Sequence, residues 1–329
     1  MFGHEEDFKM KKILLAATAA LVLFGATGCK EKKKASYPQK GITMICPWGA
    51  GGGTDAILRA VCSTAEKYLG TSITVENKTG GAGSIGFRAI KDAKPDGYTI
   101  GMITFELNSN PWQGLQDFNY ESYDPLVMVN TDAATITVKA DAPYNTLAEF
   151  VDYCKANPGK VNIGNSAPGS VWHIAAGLFA SQAGIDVKHV PFEGAAGAVT
   201  AVAGGHIEAV SVSLAEVKSQ LDAGNVKVLA IMDSKRPEAY PEIPTMKECG
   251  YDVEFGTWRG IGLPKGVPAD IKAVLFDAFT KAMKDSDFIQ TAKNLNQNVT
   301  YMDSDVFAKY LKLNYEGTGA TMKQLGLTN

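Results

Sequence analysis

The sequence predicts an α/β fold of two similar lobes with a cleft between them, and three observations support this prediction. Apolar segments of strand length alternate with helical patterns from residue 42 to residue 263, as is typical of α/β layers. A unit of strand, glycine-rich loop and helix occurs twice, near residues 42–69 and near residues 161–183. The C-terminal third has helical periodicity. Because ligands in open α/β sheets bind beyond the carboxyl ends of strands, both glycine-rich loops are expected to face the cleft.

The first repeat begins the fold. A strand at 42–46 leads through a glycine-rich loop into a helix whose apolar residues share one face and which ends at Gly70. A strand at 73–76, a helix that begins within the glycine-rich segment 80–86, and a strand at 98–104 follow.

The second repeat follows a strand-rich segment at 125–138, which is expected to cross between the lobes. Asn145 is expected to cap the next helix. The other predicted elements are helices at 147–156, 171–183, 269–284, 286–294 and 304–325, a short helix beginning at Pro244, and strands at 161–163, 187–190, 209–212 and 226–232, with 251–263 leading back. Lobe I is expected to comprise residues 38–138 plus 252–329, and lobe II residues 139–251.

The composition limits the class of protein. The chain has 329 residues, of which 45% are hydrophobic, so it can bury the core of one or two domains. The formal net charge of -3 provides no basic surface for nucleic acid. None of the cysteines stands in a C-x-x-C pair, so the sequence predicts no metal site and no cofactor, while disulfide pairing stays open.

The N-terminus has the pattern of an export signal. Lys11 and Lys12 precede an apolar run at 13–26, and small residues then lead to Cys29. The run is shorter than the roughly 20 residues that a membrane-spanning helix needs, which favours a secretory signal. Residues 1–9 carry acidic residues before the basic pair, which leaves Met1 and Met10 as alternative starts.

The stretch Ala26-Thr27-Gly28-Cys29 resembles a bacterial lipobox. It predicts a signal peptide over residues 1–29, lipidation of Cys29, and a charged tether over residues 30–37. Ala26 departs from the leucine that is usual there, and the alternative is simple cleavage that leaves a free Cys29. The prediction is an exported protein anchored to a membrane, either in a periplasm or at the cell surface.

Both glycine-rich loops precede helices and predict anion sites. Glycines allow backbone N–H groups to approach a ligand, and a helix N-terminus adds unpaired donors and a partial positive charge. Such a site needs no lysine or arginine. Thr54 and Ser170 offer additional hydroxyl donors. The alternative is a tight turn in which the glycines only permit the backbone geometry.

Enzyme signatures are scarce. The first loop lacks the Gly-Lys-Ser/Thr of a P-loop, and Gly81 to Gly86 match G-x-G-x-x-G only weakly because four residues separate them from the strand. Neither H-E-x-x-H nor G-x-S-x-G occurs. His173, on the first turn of its helix, is expected either to orient a ligand or to be structural. No catalytic residue is predicted.

A series of segments carries a family resemblance. They are Pro47-Trp48-Gly49-Ala50-Gly51-Gly52-Gly53-Thr54-Asp55, Val75-Glu76-Asn77-Lys78, Gly80-Gly81-Ala82-Gly83, Pro95-Asp96-Gly97-Tyr98-Thr99, Val190-Pro191-Phe192-Glu193-Gly194, Gly204-Gly205-His206-Ile207, Ala230 with Ser234-Lys235-Arg236, Pro241-Glu242-Ile243-Pro244-Thr245, Trp258-Arg259-Gly260 and Pro264-Lys265-Gly266-Val267-Pro268. In this order they resemble the Bug-type substrate-binding proteins of tripartite tricarboxylate transporters. The resemblance covers essentially all of residues 38–327.

The resemblance implies a two-lobed, type II periplasmic-binding fold that closes on a ligand. In that family, carboxylate oxygens are held by the first loop and by the loop that begins the second lobe's helix. Asp55 is expected to act through its backbone N–H, with its carboxylate capping the helix. Trp48 is expected to form an apolar wall or to pack in the core. The ligand residues carried over are Gly51, Gly52, Gly53, Thr54 and Asp55 in the first loop, and Asn165, Ser166, Ala167, Gly169, Ser170 and His173 in the second.

Departures from the family pattern bear on the ligand. Thr104 and Glu106 are further candidate ligand residues, and Glu106 stands where the family commonly has a small or neutral residue. A carboxylate there would repel a second ligand carboxylate and could pair with an amine. Glu193 stands where a basic residue is frequent, Ser211 could hydrogen-bond the ligand, and Arg259 could pair with a ligand carboxylate or with these acids. An amino acid or a polar monocarboxylate is therefore favoured over citrate, unless both glutamates point to solvent.

The resulting expectation is a monomeric solute-binding lipoprotein. It would capture a small carboxylate and deliver it to membrane transporter subunits, with no chemistry and no nucleic acid involved. Two alternatives stay open: a surface receptor that senses the same ligand, and an exported hydrolase that uses the cleft.

Overall fold

A computed structural model describes residues 37–328. Its strands are β1 (Ile42–Cys46), β2 (Ile73–Asn77), β3 (Thr99–Thr104), β4 (Tyr123–Lys139), β5 (Asn162–Asn165), β6 (Lys188–Pro191), β7 (Ala209–Ser213), β8 (Val226–Ile231), β9 (Gly256–Pro264) and β10 (Asn298–Met302). Its helices are α1 (Gly53–Leu69), α2 (Ser84–Lys91), α3 (Glu106–Ser109), α4 (Leu147–Ala156), α5 (Val171–Ala183), α6 (Ala195–Ala203), α7 (Leu214–Asp222), α8 (Ala269–Lys284), α9 (Ser286–Asn294) and α10 (Ser304–Gln324).

The strands form a mixed sheet that the long strand β4 divides into two halves. The strand order is β2-β1-β3-β9-β4-β7-β5-β6, with β8 and β10 also paired to β4. Residues 123–133 of β4 pair with β9, whereas residues 134–138 pair with β7. We call β1–β3, β9 and β10 the first half, and β5–β8 the second half. The strand-rich segment predicted to cross between lobes is therefore a strand shared by both halves.

Both sequence repeats are present as parallel units. In the first half β1 pairs in parallel with β2 and β3, and in the second half β5 pairs in parallel with β6 and β7. The carboxyl end of β1 leads through its loop into α1, and that of β5 leads through its loop into α5. Each glycine-rich loop thus lies at the end of a parallel strand.

The core agrees with the apolar pattern of the sequence. Ile57, Leu58 and Val61 on one face of α1 are fully buried, and Gly70 ends the helix in the left-handed conformation, with φ 66°. The left-handed conformation favours glycine, because glycine has no Cβ that would clash with the backbone. The four cysteines among residues 37–328 are unpaired, and three of them are buried.

Some elements differ from the predictions. Helices α6 and α7 and strand β10 were not predicted, and no helix begins at Pro244. The cap of α4 is Thr146 rather than Asn145, because Thr146 and Glu149 form a reciprocal capping box. A second capping box, between Ser213 and Glu216, begins α7. The Ser-x-x-Glu spacing was the signal in the sequence that identifies α7.

The N-terminal predictions fall almost entirely outside the described residues. The signal peptide, Cys29 and residues 30–36 of the tether precede residue 37, where the description begins. Within residues 37–328, no helix has the length and apolar character required to cross a bilayer.

Candidate ligand-binding cleft

A cavity of about 1180 Å³ is bounded by elements of both halves of the sheet. The first loop contributes Trp48 to Thr54, and the second loop contributes Ser166, Ala167 and Pro168. Thr104, Glu106, Glu193, Glu216 and Arg259 also line it. The two glycine-rich loops therefore face one shared space, as the position of loops at parallel strand ends predicts.

The N-terminus of α1 is open toward this cavity. Its cap residue, Gly52, offers no side chain, and the first helical hydrogen bond runs from the Ala56 N–H to the Gly52 carbonyl. The N–H groups of Gly53, Thr54 and Asp55 have no partner within residues 37–328. Three unpaired amides at a helix N-terminus form a ready site for an anion.

The Asp55 carboxylate fixes the first loop, which differs from its predicted role as a helix cap. One oxygen accepts hydrogen bonds from the Gly51 N–H and from Arg59, both at 2.9 Å, and the other accepts from Asn77 at 2.9 Å. Burial raises the pKa of Asp55, but these hydrogen bonds outweigh it and lower the pKa below its usual value. The Gly51 amide is consequently engaged within the protein, and the α1 amides stay available.

Arg259 lies beside the open end of α1. The whole residue is only 2% exposed. Its Nε donates to Thr54 Oγ1 at 2.9 Å, and its Nη1 donates to Asp132 at 2.6 Å. A methyl group placed on Gly53 would lie 3.4 Å from Nη2. The sequence pattern predicted an anion site that needs no arginine. In the structure, Arg259 lies beside that site.

A buried network of side-chain amides connects the Arg259–Asp132 pair to the first loop. Asn130 donates to Asp132 at 2.9 Å and to Gln297 at 3.0 Å, and Gln297 donates to the Gly53 carbonyl at 2.8 Å. Asn130, Asp132 and Gln297 carry no local signal of this role, because β4 and the segment before β10 supply them from distant parts of the chain.

At the N-terminus of α5, in contrast, the protein itself binds two of the first three amides, and only the Trp172 N–H has no partner within residues 37–328. Ser170 caps it by accepting a hydrogen bond from the His173 N–H at 3.3 Å, and the Val171 N–H donates to Glu106 Oε1 at 3.4 Å. Gly169 donates its N–H to His173 Nδ1 at 2.9 Å. Ser166 and Ala167 line the cavity, whereas Gly169, Ser170 and His173 lie outside its lining.

Glu106 is a buried member of the cleft wall. It is 3% exposed, and its Oε2 accepts a hydrogen bond from Thr104 Oγ1 at 2.7 Å. Trp48, which is partly buried, donates its indole N–H to the same hydroxyl at 3.3 Å. Burial raises the pKa of Glu106. The alternative that both glutamates point to solvent is wrong for Glu106, whereas Glu193 is exposed at the rim.

Asn165 is the last residue of β5 and Ser211 is the middle residue of the paired strand β7, and neither belongs to the cavity lining. Both are fully buried, and Asn165 Oδ1, Asn165 Nδ2 and Ser211 Oγ have no hydrogen-bond partner among the described residues. Buried polar atoms are rarely left unpaired. These three atoms are therefore hydrogen-bonding groups of the second half that the described residues do not satisfy.

Glu216 brings a second, half-buried carboxylate to the cavity lining, beside the N-terminus of α1, where a methyl group on Gly53 would lie 3.4 Å from its Cγ. Its Oε2 accepts hydrogen bonds from the N–H and the hydroxyl of Ser213, both at 3.0 Å. Burial raises the pKa of Glu216, and nearby Arg259 opposes that rise. Further along α7, Lys218 pairs with Asp222 at 2.6 Å.

The ring of His173 makes the second loop sensitive to acid. Burial, and secondly the neighbouring His189 ring at 4.5 Å, lower the pKa of His173 from 6.5 to about 4. The neutral ring is then favoured by folding, so this contribution to stability is complete above about pH 6.5 and is lost as the pH falls toward about 4.

Replacing His173 with glutamine is expected to remove on the order of 2 kcal/mol of this pH-dependent loss, a figure reduced because the ring is partly exposed. The measurement is urea unfolding of both proteins across that pH range. Glu106 and Glu216, whose raised pKa values change stability with the opposite sign, are present in both proteins. The difference between the two pH profiles therefore reports the His173 ring. The exposed His206→Gln is the control, and equal slopes for His173→Gln and wild type would contradict the prediction.

Comparison with known proteins agrees with this architecture. A sequence profile described as "TctC: Tripartite tricarboxylate transporter family receptor" matches residues 57–327. A protein of Cupriavidus necator, called the UPF0065 protein in the gbd 5' region, is 29% identical over 95% of each chain.

Solved structures share the fold. A TctC solute-binding protein from Polaromonas is 35% identical, with 88% of this chain and 100% of that chain covered and a TM-score of 0.69. The periplasmic binding protein BugD is 27% identical over 89% and 99% of the chains, with a TM-score of 0.83. MatC from Rhodopseudomonas palustris, with bound malate, is 24% identical over 87% and 99%, with a TM-score of 0.80, and shows likeness of fold alone.

The fold is therefore the two-lobed α/β fold of type II periplasmic solute-binding proteins, with the cleft between the lobes. The chain belongs to the TctC family of tripartite tricarboxylate transporter receptors and is of the Bug type. Members of this family are solute-binding proteins of the periplasm, and the protein is accordingly a binding protein rather than an enzyme.

Proposed function

We propose that the protein captures a small carboxylate in its cleft and delivers it to the membrane subunits of a tripartite tricarboxylate-type transporter. The observation that carries the proposal is the open N-terminus of α1, where three amides without partners lie beside Arg259 and face the cavity. Amides, a helix dipole and a guanidinium all favour a carboxylate over neutral or cationic groups. MatC, which has the same fold, binds malate.

Capture is proposed to close lobe I (38–138 plus 252–329) onto lobe II (139–251). The hinge would be β4 together with the return segment 251–263, because β4 pairs with strands of both halves. A ligand that contacts both walls stabilises the closed state by its differential affinity for that state. The candidate residues on the two walls stay those of the first loop, and Ser166 and Ala167 of the second.

Export and anchoring complete the proposal. Residues 1–29 would act as the signal, Cys29 would carry the lipid, and residues 30–37 would tether a monomer near the transporter. Cys29→Ser is expected to move the protein from the membrane fraction to the released fraction, while Cys249→Ser leaves it at the membrane. Equal membrane retention of Cys29→Ser and wild type would contradict lipidation at this residue.

The function is tested on the purified mature protein. Native mass spectrometry is expected to show a retained small acid, and calorimetric titration with monocarboxylates, dicarboxylates and amino acids is expected to show saturable binding by at least one class. The melting temperature rises with a ligand that binds the folded state. Failure of every carboxylate class in both measurements would contradict the proposed function.

A further inference from the structure

The two helix N-termini that face the cleft differ in what occupies them. At α1 the amides of Gly53, Thr54 and Asp55 have no partner in the described chain. At α5 the Val171 amide already donates to Glu106. The N-terminus of α1 keeps three unpaired amides, whereas α5 keeps only that of Trp172 among residues 37–328 and has a carboxylate of the protein bound at its first amide.

The contacts of Glu106 fix this carboxylate in place. Thr104 binds one oxygen at 2.7 Å, the Val171 N–H binds the other at 3.4 Å, and the residue is 3% exposed. Glu106 belongs to the strand end and short helix of the first half, whereas Val171 begins a helix of the second. A second ligand carboxylate at α5 would have to displace Glu106 or lie against a like charge.

The other charged residues that line the cleft also disfavour a second ligand carboxylate. The two lining cations are both engaged, Lys218 with Asp222 at 2.6 Å and Arg259 with Asp132 at 2.6 Å. Three lining carboxylates, those of Glu106, Glu193 and Glu216, have no ion-pair partner among residues 37–328. A dicarboxylate would add a further negative charge to this cleft, whereas a ligand ammonium would neutralise part of its charge.

We propose that Glu106 is a resident carboxylate at the α5 N-terminus, and that it restricts the cleft to ligands with one carboxylate and a protonated amine at the far end. This inference rests on the proposed function. The ligand carboxylate binds at the α1 amides beside Arg259, and the amine is directed toward Glu106 at the other helix N-terminus. Glu216 lies at the α1 end of the cleft, beside Gly53. Glu106 thus determines specificity rather than carboxylate capture itself.

The test uses ligands that differ at one end only. Butyrate, γ-aminobutyrate and succinate share a carbon chain and one carboxylate, and they end in a methyl, an ammonium and a second carboxylate. The same set is repeated with one methylene added. Calorimetric titration of the unmodified protein is expected to rank the amine first and the dicarboxylate last, with at least about tenfold between them. A dicarboxylate that binds tightest, or amines that fail to bind, overturns the inference.

The variant Glu106→Gln keeps the shape of the side chain and removes its charge. It is expected to weaken γ-aminobutyrate binding about tenfold and to strengthen succinate binding, which reduces or reverses the ranking. Glu254→Gln removes the same charge at an exposed residue outside the cavity lining and is expected to keep the wild-type ranking. An unchanged ranking in Glu106→Gln overturns the inference.

Each result separates the inference from the function on which it rests. Binding of dicarboxylates but not amines leaves carboxylate capture intact and removes only the role of Glu106. Failure of every carboxylate class, in these and in the broader titrations, removes the proposed function itself. The ranking on the unmodified chain decides the matter even where Glu106→Gln fails to fold.

Discussion

Replacing Arg259 with methionine is expected to lower the free energy of unfolding by about 3–5 kcal/mol, because it leaves a buried carboxylate without its cation. The side chains of Arg259 and Asp132 are 3% and 5% exposed and meet at 2.6 Å. Asn130 and the Asn298 N–H also bind Asp132, but neither carries charge. Guanidinium unfolding measures the effect, and unchanged slopes would show that the native and unfolded surfaces are comparable.

Two further variants show whether the charge pair is the cause. Asp132→Asn combined with Arg259→Met removes both charges and is expected to recover a large part of the lost stability. Arg236→Met breaks an exposed pair with Glu248 and is expected to change stability little. A loss of less than about 1 kcal/mol in Arg259→Met would contradict the prediction. It would mean that water hydrates the Asp132 carboxylate in place of the lost guanidinium.

Replacing Gly52 with leucine is expected to weaken ligand binding at least about a hundredfold while the fold persists. Gly52 lines the cavity at the cap of α1, so a large side chain there would cover the amides that follow. Its φ of -76° suits any residue, and a Cβ would meet nothing closer than the Gly49 carbonyl at 3.4 Å. The cost in stability is that of a poor helix cap, about 1 kcal/mol.

Calorimetry with the retained ligand measures this loss, and Gly317→Leu, at an exposed position with open space around it, is the matched control. Wild-type affinity in Gly52→Leu would show that the α1 amides do not hold the ligand. Gly169 gives a less clean test. It has φ +63°, and a Cβ there would lie 1.9 Å from Gln113 Oε1, so substitution strains the backbone as well as the loop.

Local signals in the sequence predicted much of the fold. The predicted bounds of α5, 171–183, are those of the structure, in which Ser170 and Gly184 are its caps. Helix α6 was missed because its sequence, Ala-Ala-Gly-Ala-Val-Thr-Ala-Val-Ala, has no polar face to give a helical period. Residues whose partners are adjacent in the chain were thus the predictable ones.

The candidate site divides in the same way. The first loop was recognisable because its glycines, threonine and aspartate are consecutive. Arg259 reaches that loop through sheet register, since Asn130 of β4 lies opposite Arg259 of β9. Register between strands more than a hundred residues apart cannot be read from either segment alone. Glu106 was noticed as unusual, but its contact with Val171 depends on how the two halves meet.

The shared strand β4 also determines how the molecule melts. Residues 123–133 complete the sheet of one half and residues 134–139 that of the other, so a half excised without β4 loses the ladder that this strand completes. Excised lobes would each expose an unpaired edge and part of a core. Heat or denaturant is therefore expected to disrupt both together in a single cooperative transition, and the proposed opening of the cleft would be a bend within an intact strand rather than a separation of independent domains.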